Sequence, residues 1–428
     1  MSCSKNHHRP PAVAAPISGD VGPPWSSLPM DLVQLVGWQV LSGDLLDYVR
    51  FRAVCTHWWS STVCPLGRGI VEPRFHPRRW MIMPEGHGLH PGDGKKRFFS
   101  LSSGSFVRIR IPLLSNHHVL LSVEGLLLLR PRNRDVALML VVHPFTGDFV
   151  VLPPLMPLLE SYWEEMAPRA GHFRFGPLNF AASLSVSVDG TVALMIAHQY
   201  VPQVLFATTK DKEWRVTTWN LTPLSKPISL QGKLYILEPS ATCNSGQQIL
   251  RVDPPLHEHP TIPSSLMPPK LIVARPKGEY HELFGLAECD SDILVIGFED
   301  NLLADKLVVY KLGDLATGKV SPIQSIGGNT IFLDIKRSTD TENSSIFISR
   351  SMTSSYMAMP TIESDTIVRL RQGYPWQYHL GTGKWSQLIG GCVKNVYNMA
   401  EGCECGLIYH TYNCCHCTDK EEIYVFKF

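Results

Sequence analysis

Residues 136–155 read VALMLVVHPFTGDFVVLPPL. An apolar run rich in Val, Leu and Met stops at a polar Thr-Gly-Asp turn and resumes at Phe149-Val150-Val151-Leu152, the pattern of two short strands joined by a turn. The same pattern recurs in FVRIRIPLL, HHVLLSVEGLLLL, LSVSVDGTVALMIA, KLYILEP, DILVIGF, KLVVYKL, NTIFLDI, SSIFISR, GLIYHTY and EIYVFKF. Many short strands with regular turns point to a barrel, a sandwich or a propeller. A repeat narrows the choice. TGDF ending at Phe149, DKEW at Trp214, TGKV at Val320 and TGKW at Trp385 each set a hydrophobic residue after a polar turn, at the opening of a strand. Phe149 and Trp214 are 65 residues apart, as are Val320 and Trp385. Propeller blades usually take about 40–50 residues, so this spacing implies either long insertions or a repeat of which these turns mark only a part. The expected fold is mainly β, an irregular β-propeller of about six or seven blades.

At 428 residues the chain exceeds what one small core holds, and two units are expected. With 44% hydrophobic and 18% charged residues and a formal charge of +1, it is neither a disordered chain nor a basic nucleic-acid binder. The first 24 residues lack the apolar core of a signal peptide, because Pro10, Pro11 and Pro16 interrupt them, and they read as a disordered arm. No apolar run is long enough for a membrane helix. Eleven irregularly spaced cysteines fit reduced thiols better than a disulfide framework, which points to cytoplasm or nucleus.

The composition changes near residue 75. Upstream, from Trp25 to Val63, apolar residues fall at helical spacing: Leu32, Val33, Val36 and Val40 form one set. In DYVRFRAVCTHWW, residues 47–59, Phe51, Val54, Cys55 and Trp58 stand at i, i+3, i+4 and i+7, which predicts a single helical stripe. Pro29 and Asp31 suit the first turn of a helix, and Ser42 or Asp44 offers a fresh N-cap. Two or three short helices in about forty residues are too few to fold well alone, so a large neighbour or a partner must complete them.

The stretch WSSLPMDLVQLVGWQVLSGDLLDYVRFRAVCTHWWSS resembles an F-box, through Leu28-Pro29, Asp31, the apolar Leu32, Val33 and Val36, the DLL of 44–46, and Val54-Cys55 followed by Trp58. It departs from the usual pattern at Asp31, where glutamate is commoner, and at Gly37, where a larger apolar residue is usual. The downstream chain resembles the KIB-type β-propeller of a large plant F-box family, through YVRFRAVC, HPFTGDFVVLPPL, NTIFLDI and HLGTGKWSQL. The resemblance implies a disordered arm over 1–24, an F-box over 25–64, a linker over 65–74 and a propeller over 75–428. It implies a non-catalytic receptor whose F-box docks a Skp-type adaptor, and through it a cullin-RING ubiquitin ligase, while the propeller holds an unknown protein substrate. The positions it assigns to adaptor binding are Leu28, Pro29, Leu32, Val33, Val36, Leu45, Val49, Val54, Cys55 and Trp58.

Other constellations are weaker. Cys403, Cys405, Cys414 and Cys417 offer zinc-type ligands near the C-terminus, but one intervening residue in the first pair is shorter than the usual gap, so reduced thiols are preferred. His257-Glu258-His259 lacks the helical HExxH spacing. Asp189, Asp292 and Asp334 are better read as turn caps than as acids of a propeller enzyme. SYWEEM, residues 161–166, is a possible recognition loop, outweighed by a solvated insertion. No cofactor, nucleic acid or membrane is called for, and a stand-alone binding propeller outside ubiquitination is the rival reading.

Overall fold

A computed structural model describes residues 24–78, 80–83, 95–100, 105–132, 138–155, 158, 180–198, 201–222, 225–238, 246–255, 265–275, 282–289, 292–299, 306–338, 341–350, 365–371 and 374–387. The possible recognition loop, His257-Glu258-His259, the C-terminal cysteines and the strands expected at GLIYHTY and EIYVFKF lie outside these residues.

A 3-10 turn, Pro24–Ser27, leads into α1 (Met30–Gly43), α2 (Leu45–Arg52) and α3 (Thr56–Ser61). Pro29 stands at the N-cap of α1, one position before the expected first turn, and its carbonyl accepts from the Val33 N–H at 3.0 Å. Of the two candidate caps for α2, Asp44 serves: its carboxylate accepts from the backbone N–H groups of Leu46 (2.7 Å) and Asp47 (3.4 Å). The expected single stripe from Phe51 to Trp58 does not form. α2 stops at Arg52, Cys55 takes an extended conformation (φ −158°), and its Sγ accepts from the Trp58 N–H to start α3. A capping sulfur therefore divides residues that helical periodicity alone places on one face.

Downstream, the described residues form six sheets in chain order. Sheet 1 holds β1 (Trp80–Met83), β2 (Lys96–Ser100) and β3 (Phe106–Ile109). Sheet 2 holds β4 (His117–Val123), β5 (Leu126–Pro131), β6 (Met139–Val142) and β7 (Phe149–Leu152). Sheet 3 holds β8 (Phe180–Val186), β9 (Val192–His198), β10 (Val201–Thr208) and β11 (Arg215–Val216). Sheet 4 holds β12 (Lys226–Leu230), β13 (Lys233–Glu238), β14 (Gln247–Val252) and β15 (Lys270–Arg275). Sheet 5 holds β16 (Glu282–Cys289), β17 (Asp292–Phe298) and β18 (Leu307–Lys311), followed by the one-turn α4 (Leu312–Ala316). These five are antiparallel meanders. Sheet 6 contains β19 (Asn329–Ser338), β20 (Thr341–Arg350), β21 (Thr366–Arg371), β22 (Tyr374–His379) and β23 (Lys384–Gln387) in the order β20-β19-β21-β22-β23, with β19 parallel to β21.

The sheets pack face to face. Alternate residues of a strand point to opposite faces, so a strand of a sheet covered on both faces can be apolar at successive positions. The run Leu126–Leu129 shows this: Leu127 and Leu129, with Leu140 and Val142, meet Trp80, Ile82 and Phe98 of sheet 1. Leu126 and Leu128, with Met139 and Val141, meet Ala182, Leu184 and Leu194 of sheet 3. Further clusters join sheets 3 and 4, 4 and 5, and 5 and 6. The first strands β4, β8, β12 and β16 lie beside one another in succession, as the inner strands of propeller blades do. The turn repeat opens the outer strand of three sheets: Phe149 begins β7, Trp214 precedes β11, and Trp385 lies in β23. At the fourth site the expectation fails, since Val320 follows α4 in a coil, although Ile323 still donates to the Val309 carbonyl of β18 at 2.8 Å.

The helices sit on the end of sheet 2 where β4 turns into β5 and β6 into β7. Gly125, at φ 90°, lets the first turn approach the chain so closely that a Cβ there would stand 2.0 Å from the Pro77 carbonyl oxygen. In the second turn, His143 Nε2 donates to the Phe75 carbonyl (2.9 Å), while its Nδ1 accepts from the Phe145 and Thr146 N–H groups (3.2 and 3.0 Å). Asp148 accepts from the Gly67 and Gly69 N–H groups (3.0 and 2.8 Å). Phe145 packs on Trp80 and Phe98 and also joins the helical core of Leu41, Leu45, Tyr48 and Phe75, so the two units share one core.

His143 is held as the neutral Nε2–H tautomer, and burial lowers its pKa; burial lowers that of His76, which donates to the Ile70 carbonyl, to about 4. An unfolded histidine binds its proton near pH 6.5. Between the two values the unfolded chain holds more protons than the folded one, so stability falls as pH falls. Thermal melts from pH 7 to pH 4.5 should show a progressive loss, up to roughly 3 kcal/mol for His76 alone. A melting temperature that stays level across that range would contradict this account of the joint.

Candidate docking surface

The inner face of α1 carries Val33, Gly37 and Leu41, spaced by four. Val33 is fully buried, and a Cβ on Gly37 would stand 3.2 Å from Thr62 and 3.3 Å from Phe51, so glycine permits the close approach of α1 to its neighbours. Trp38 stacks on Tyr48 with ring centroids 6.0 Å apart, the Tyr48 hydroxyl donates to the Val63 carbonyl at 2.8 Å, and the Arg74 guanidinium lies 4.3 Å from the Trp38 ring. The buried Arg52 donates from Nε to Thr62 Oγ1 at 3.0 Å, tying the end of α2 to that of α3. Asp44 reaches out of the bundle to accept from Ser100 Oγ in sheet 1 at 3.4 Å, and burial raises its pKa.

The outer face of α1 is a different surface. Leu32, Leu35 and Val36 are 44%, 65% and 45% exposed, and they stand at i, i+3 and i+4. Met30 on the same helix, Val49 on α2, Val54 in the α2–α3 connection, and Trp59 on α3 are exposed as well. A core-packed helix that also shows an apolar stripe to solvent is the usual mark of a surface awaiting a partner.

The ten positions assigned by resemblance divide three ways. Pro29, Leu32, Val36, Val49 and Val54 are exposed and available. Leu28, Cys55 and Trp58 are half-buried and build a corner: the Leu28 carbonyl accepts from His57 Nε2 (2.8 Å), Cys55 caps α3, and Trp58 stacks on Phe51 at 4.4 Å while its Nε1 donates to the Trp25 carbonyl (3.0 Å). Val33 and Leu45 are buried and belong to the core instead, because the faces they occupy are covered by the bundle and by Phe75. Tyr48 packs inward, whereas Trp59 does not. Leu35, the most exposed of the stripe, was missed, although its place three residues after Leu32 was a readable signal.

Elsewhere, Asp189 behaves as a turn cap: it accepts from Thr191 N (3.2 Å) and Thr191 Oγ1 (2.9 Å), and the Lys210 ammonium beside it holds its carboxyl well below the usual range. Asp292 pairs with Lys311 at 3.1 Å on the surface. Among the described residues no three His, Cys, Asp or Glu side chains gather as a metal would need, and no helix is long and apolar enough to cross a membrane.

The meander sheets and their stacking agree with the sequence comparison, in which residues 98–351, more than half of the chain, match the KIB1-4 beta-propeller family. The chain belongs to the KIB1-4 β-propeller family. The match runs from within β2 to just past β20. No curated protein matches the chain. Among solved structures, it is similar to a GH74 enzyme of Niastella koreensis at 10% identity, covering 61% of this chain and 29% of that one, with a TM-score of 0.24. It is also similar to the PQQ-bound aldose sugar dehydrogenase of Streptomyces coelicolor (14% identity, 48% and 76% covered, TM-score 0.25). A puromycin-hydrolyzing peptidase of Mycobacterium tuberculosis follows (14% identity, 76% and 47% covered, TM-score 0.26). The chain thus spans under a third of the length of the Niastella enzyme, and likenesses this distant carry no argument about activity.

The division between core and surface is open to measurement. Leu45→Ala should cost about 2–5 kcal/mol of stability in a denaturant titration, as for a buried leucine. Leu35→Ala should change it by about 0.5 kcal/mol or less. Equal costs at the two positions would show that the outer stripe is already packed.

Proposed function

We propose that this KIB1-4 β-propeller protein is an F-box-type substrate receptor. Its helical unit docks a Skp-type adaptor of a cullin-RING ubiquitin ligase, and its propeller holds a target protein for ubiquitination. The observation that carries this reading is the exposed stripe Leu32, Leu35 and Val36 on α1, flanked by Val49 and Val54, on a unit whose other face is occupied by its own propeller. An apolar helix face laid into a groove is a common recognition mode, and each aliphatic side chain so buried contributes roughly 1.5–3 kcal/mol before ordering costs. The reading requires no bond chemistry in this chain. Held by the joint at His143 and Asp148, a target on the propeller would be kept at high effective concentration near the ubiquitin-charged enzyme. Cytoplasm or nucleus, where such ligases and reduced thiols coexist, is the compartment proposed.

The test is a pull-down of purified Skp-type adaptor by the full chain, beside a Leu32→Asp/Leu35→Asp variant whose melting temperature is unchanged. Adaptor retained by the wild type and lost by the variant, by a factor of about 100 for two desolvated anchors, is the expected result. Absence of adaptor binding by the folded wild type would instead favour a binding propeller that acts outside ubiquitination.

A further inference from the structure

A strand at the edge of a sheet leaves half of its backbone groups without a neighbour, and proteins commonly blunt such edges with charge, shortness, a bulge or a cover. The last strands of the sheets show these devices in turn. β3 carries Arg108 at its third position, β11 has two residues, and β15 opens with Lys270 and pairs with β14 through a register shift. The Val309 carbonyl of β18 is met by the Ile323 N–H at 2.8 Å, and β23 opens with Lys384. β7 departs from this pattern. Its sequence, Phe149-Val150-Val151-Leu152, is uncharged, and its register with β6 is unbroken.

The direction of its free groups follows from the turn before it. The His143 N–H donates to the Asp148 carbonyl at 2.8 Å, which makes residues 143 and 148 a hydrogen-bonded pair of the antiparallel ladder. Such pairs alternate with non-hydrogen-bonded ones. Val141 with Val150, then Met139 with Leu152, therefore bond across the ladder, whereas the N–H and C=O groups of Phe149 and Val151 point away from β6. Among the described residues none bonds to these outward groups.

The side chains at the same two positions are open as well. Phe149 and Val151 are 54% and 41% exposed, on the face that their register partners Val142 and Leu140 turn toward sheet 1. Outward backbone groups thus stand on either side of Val150, each with an exposed apolar side chain. A two-fold rotation about Val150 returns this pattern of donors and acceptors to itself.

We propose that β7 is the docking edge for β7 of a second copy of this chain, antiparallel to it about a two-fold axis at Val150. Phe149 of each copy then faces Val151 of the other, each pair exchanges both of its backbone hydrogen bonds, and the two sheets become one. Three features select a second copy as the occupant. The edge is complementary to itself. An aromatic residue opposite a β-branched one is a stabilising cross-strand pair. With no charge on the strand and a formal charge of +1 on the chain, two copies meet little repulsion. Antiparallel pairing also carries the two helical units, each held at the β6–β7 turn, to opposite ends of the joined sheet. The pairing does not depend on the receptor reading above; under that reading a dimer carries two adaptor-docking stripes.

The experiment is sedimentation equilibrium of the full chain without adaptor across micromolar concentrations, beside hydrogen exchange of the Phe149 and Val151 amides. The wild type should show a monomer–dimer equilibrium, with both amides gaining protection as the dimer forms. Val151→Lys, which sets a charge on an exposed position of the edge, should weaken dimerisation by about tenfold or more, and Phe149→Lys should do the same if the first variant melts early. Leu271→Lys, at an exposed leucine of β15, should leave the equilibrium unaltered. A wild type that stays monomeric would overturn the proposal, as would a dimer that survives both lysine variants. Loss of the dimer in Leu32→Asp/Leu35→Asp with Val151→Lys unaffected would assign association to the α1 stripe instead. A monomeric wild type whose two amides become protected on adding a peptide of alternating Val and Thr would give the edge to a strand of another protein.

Discussion

The histidine at the β6–β7 turn fixes how the two units of this protein meet. His143 offers its Nε2–H to the Phe75 carbonyl, and its Nδ1 lone pair to two N–H groups of its own turn. One neutral ring therefore shapes the turn and grips the chain leaving the helices. Asp148, at the end of the same turn, takes two further backbone N–H groups from Gly67 and Gly69. A Cβ on Gly69 would meet Thr146, Asp148 and His143 all within 3 Å, so the grip is as close as a backbone without side chain allows. Buried backbone donors and acceptors need partners, and here each unit supplies them to the other.

That joint explains why so small a helical unit is ordered. Three helices bury only Val33, Leu41, Leu45 and Tyr48 among their large apolar side chains, and Phe75 and Phe145 complete the cluster around the last three. Because the propeller covers one face of the bundle, the opposite face of α1 is left to solvent with its leucines showing. The two faces differ in what they ask of a side chain: Gly37 is required by close approach, whereas Leu35 has no role in packing. The same logic shapes the propeller, where inner sheets bury apolar residues on both sides because a sheet lies on both sides.

Much of this was legible in the residues. Short apolar runs between Gly- and Asp-containing turns gave the strands, and the TGDF, DKEW and TGKW turns open outer strands, since a polar turn followed by an aromatic residue marks the last hairpin of a blade. The TGKV turn misled, because the residues after it, 319–328, run as coil and turns rather than as a strand, and local sequence does not record that outcome. Asp44 was readable as a cap. The cap at Cys55 was not, because a sulfur acceptor has no strong sequence preference, and so the Phe51–Trp58 stripe was placed on one helix that is in fact two.

What the sequence by itself determined is the class of each segment: helical spacing before residue 75, strand runs after it, and the chemistry available in each. Periodicity and turn residues are local properties, and they survive without knowledge of the neighbours. Only the tertiary structure decided which apolar residues are core and which are surface. Val33, Leu35 and Val36 are alike in hydropathy, and their fates differ solely because a helix presents them at different angles to a bundle and a propeller that lie far along the chain.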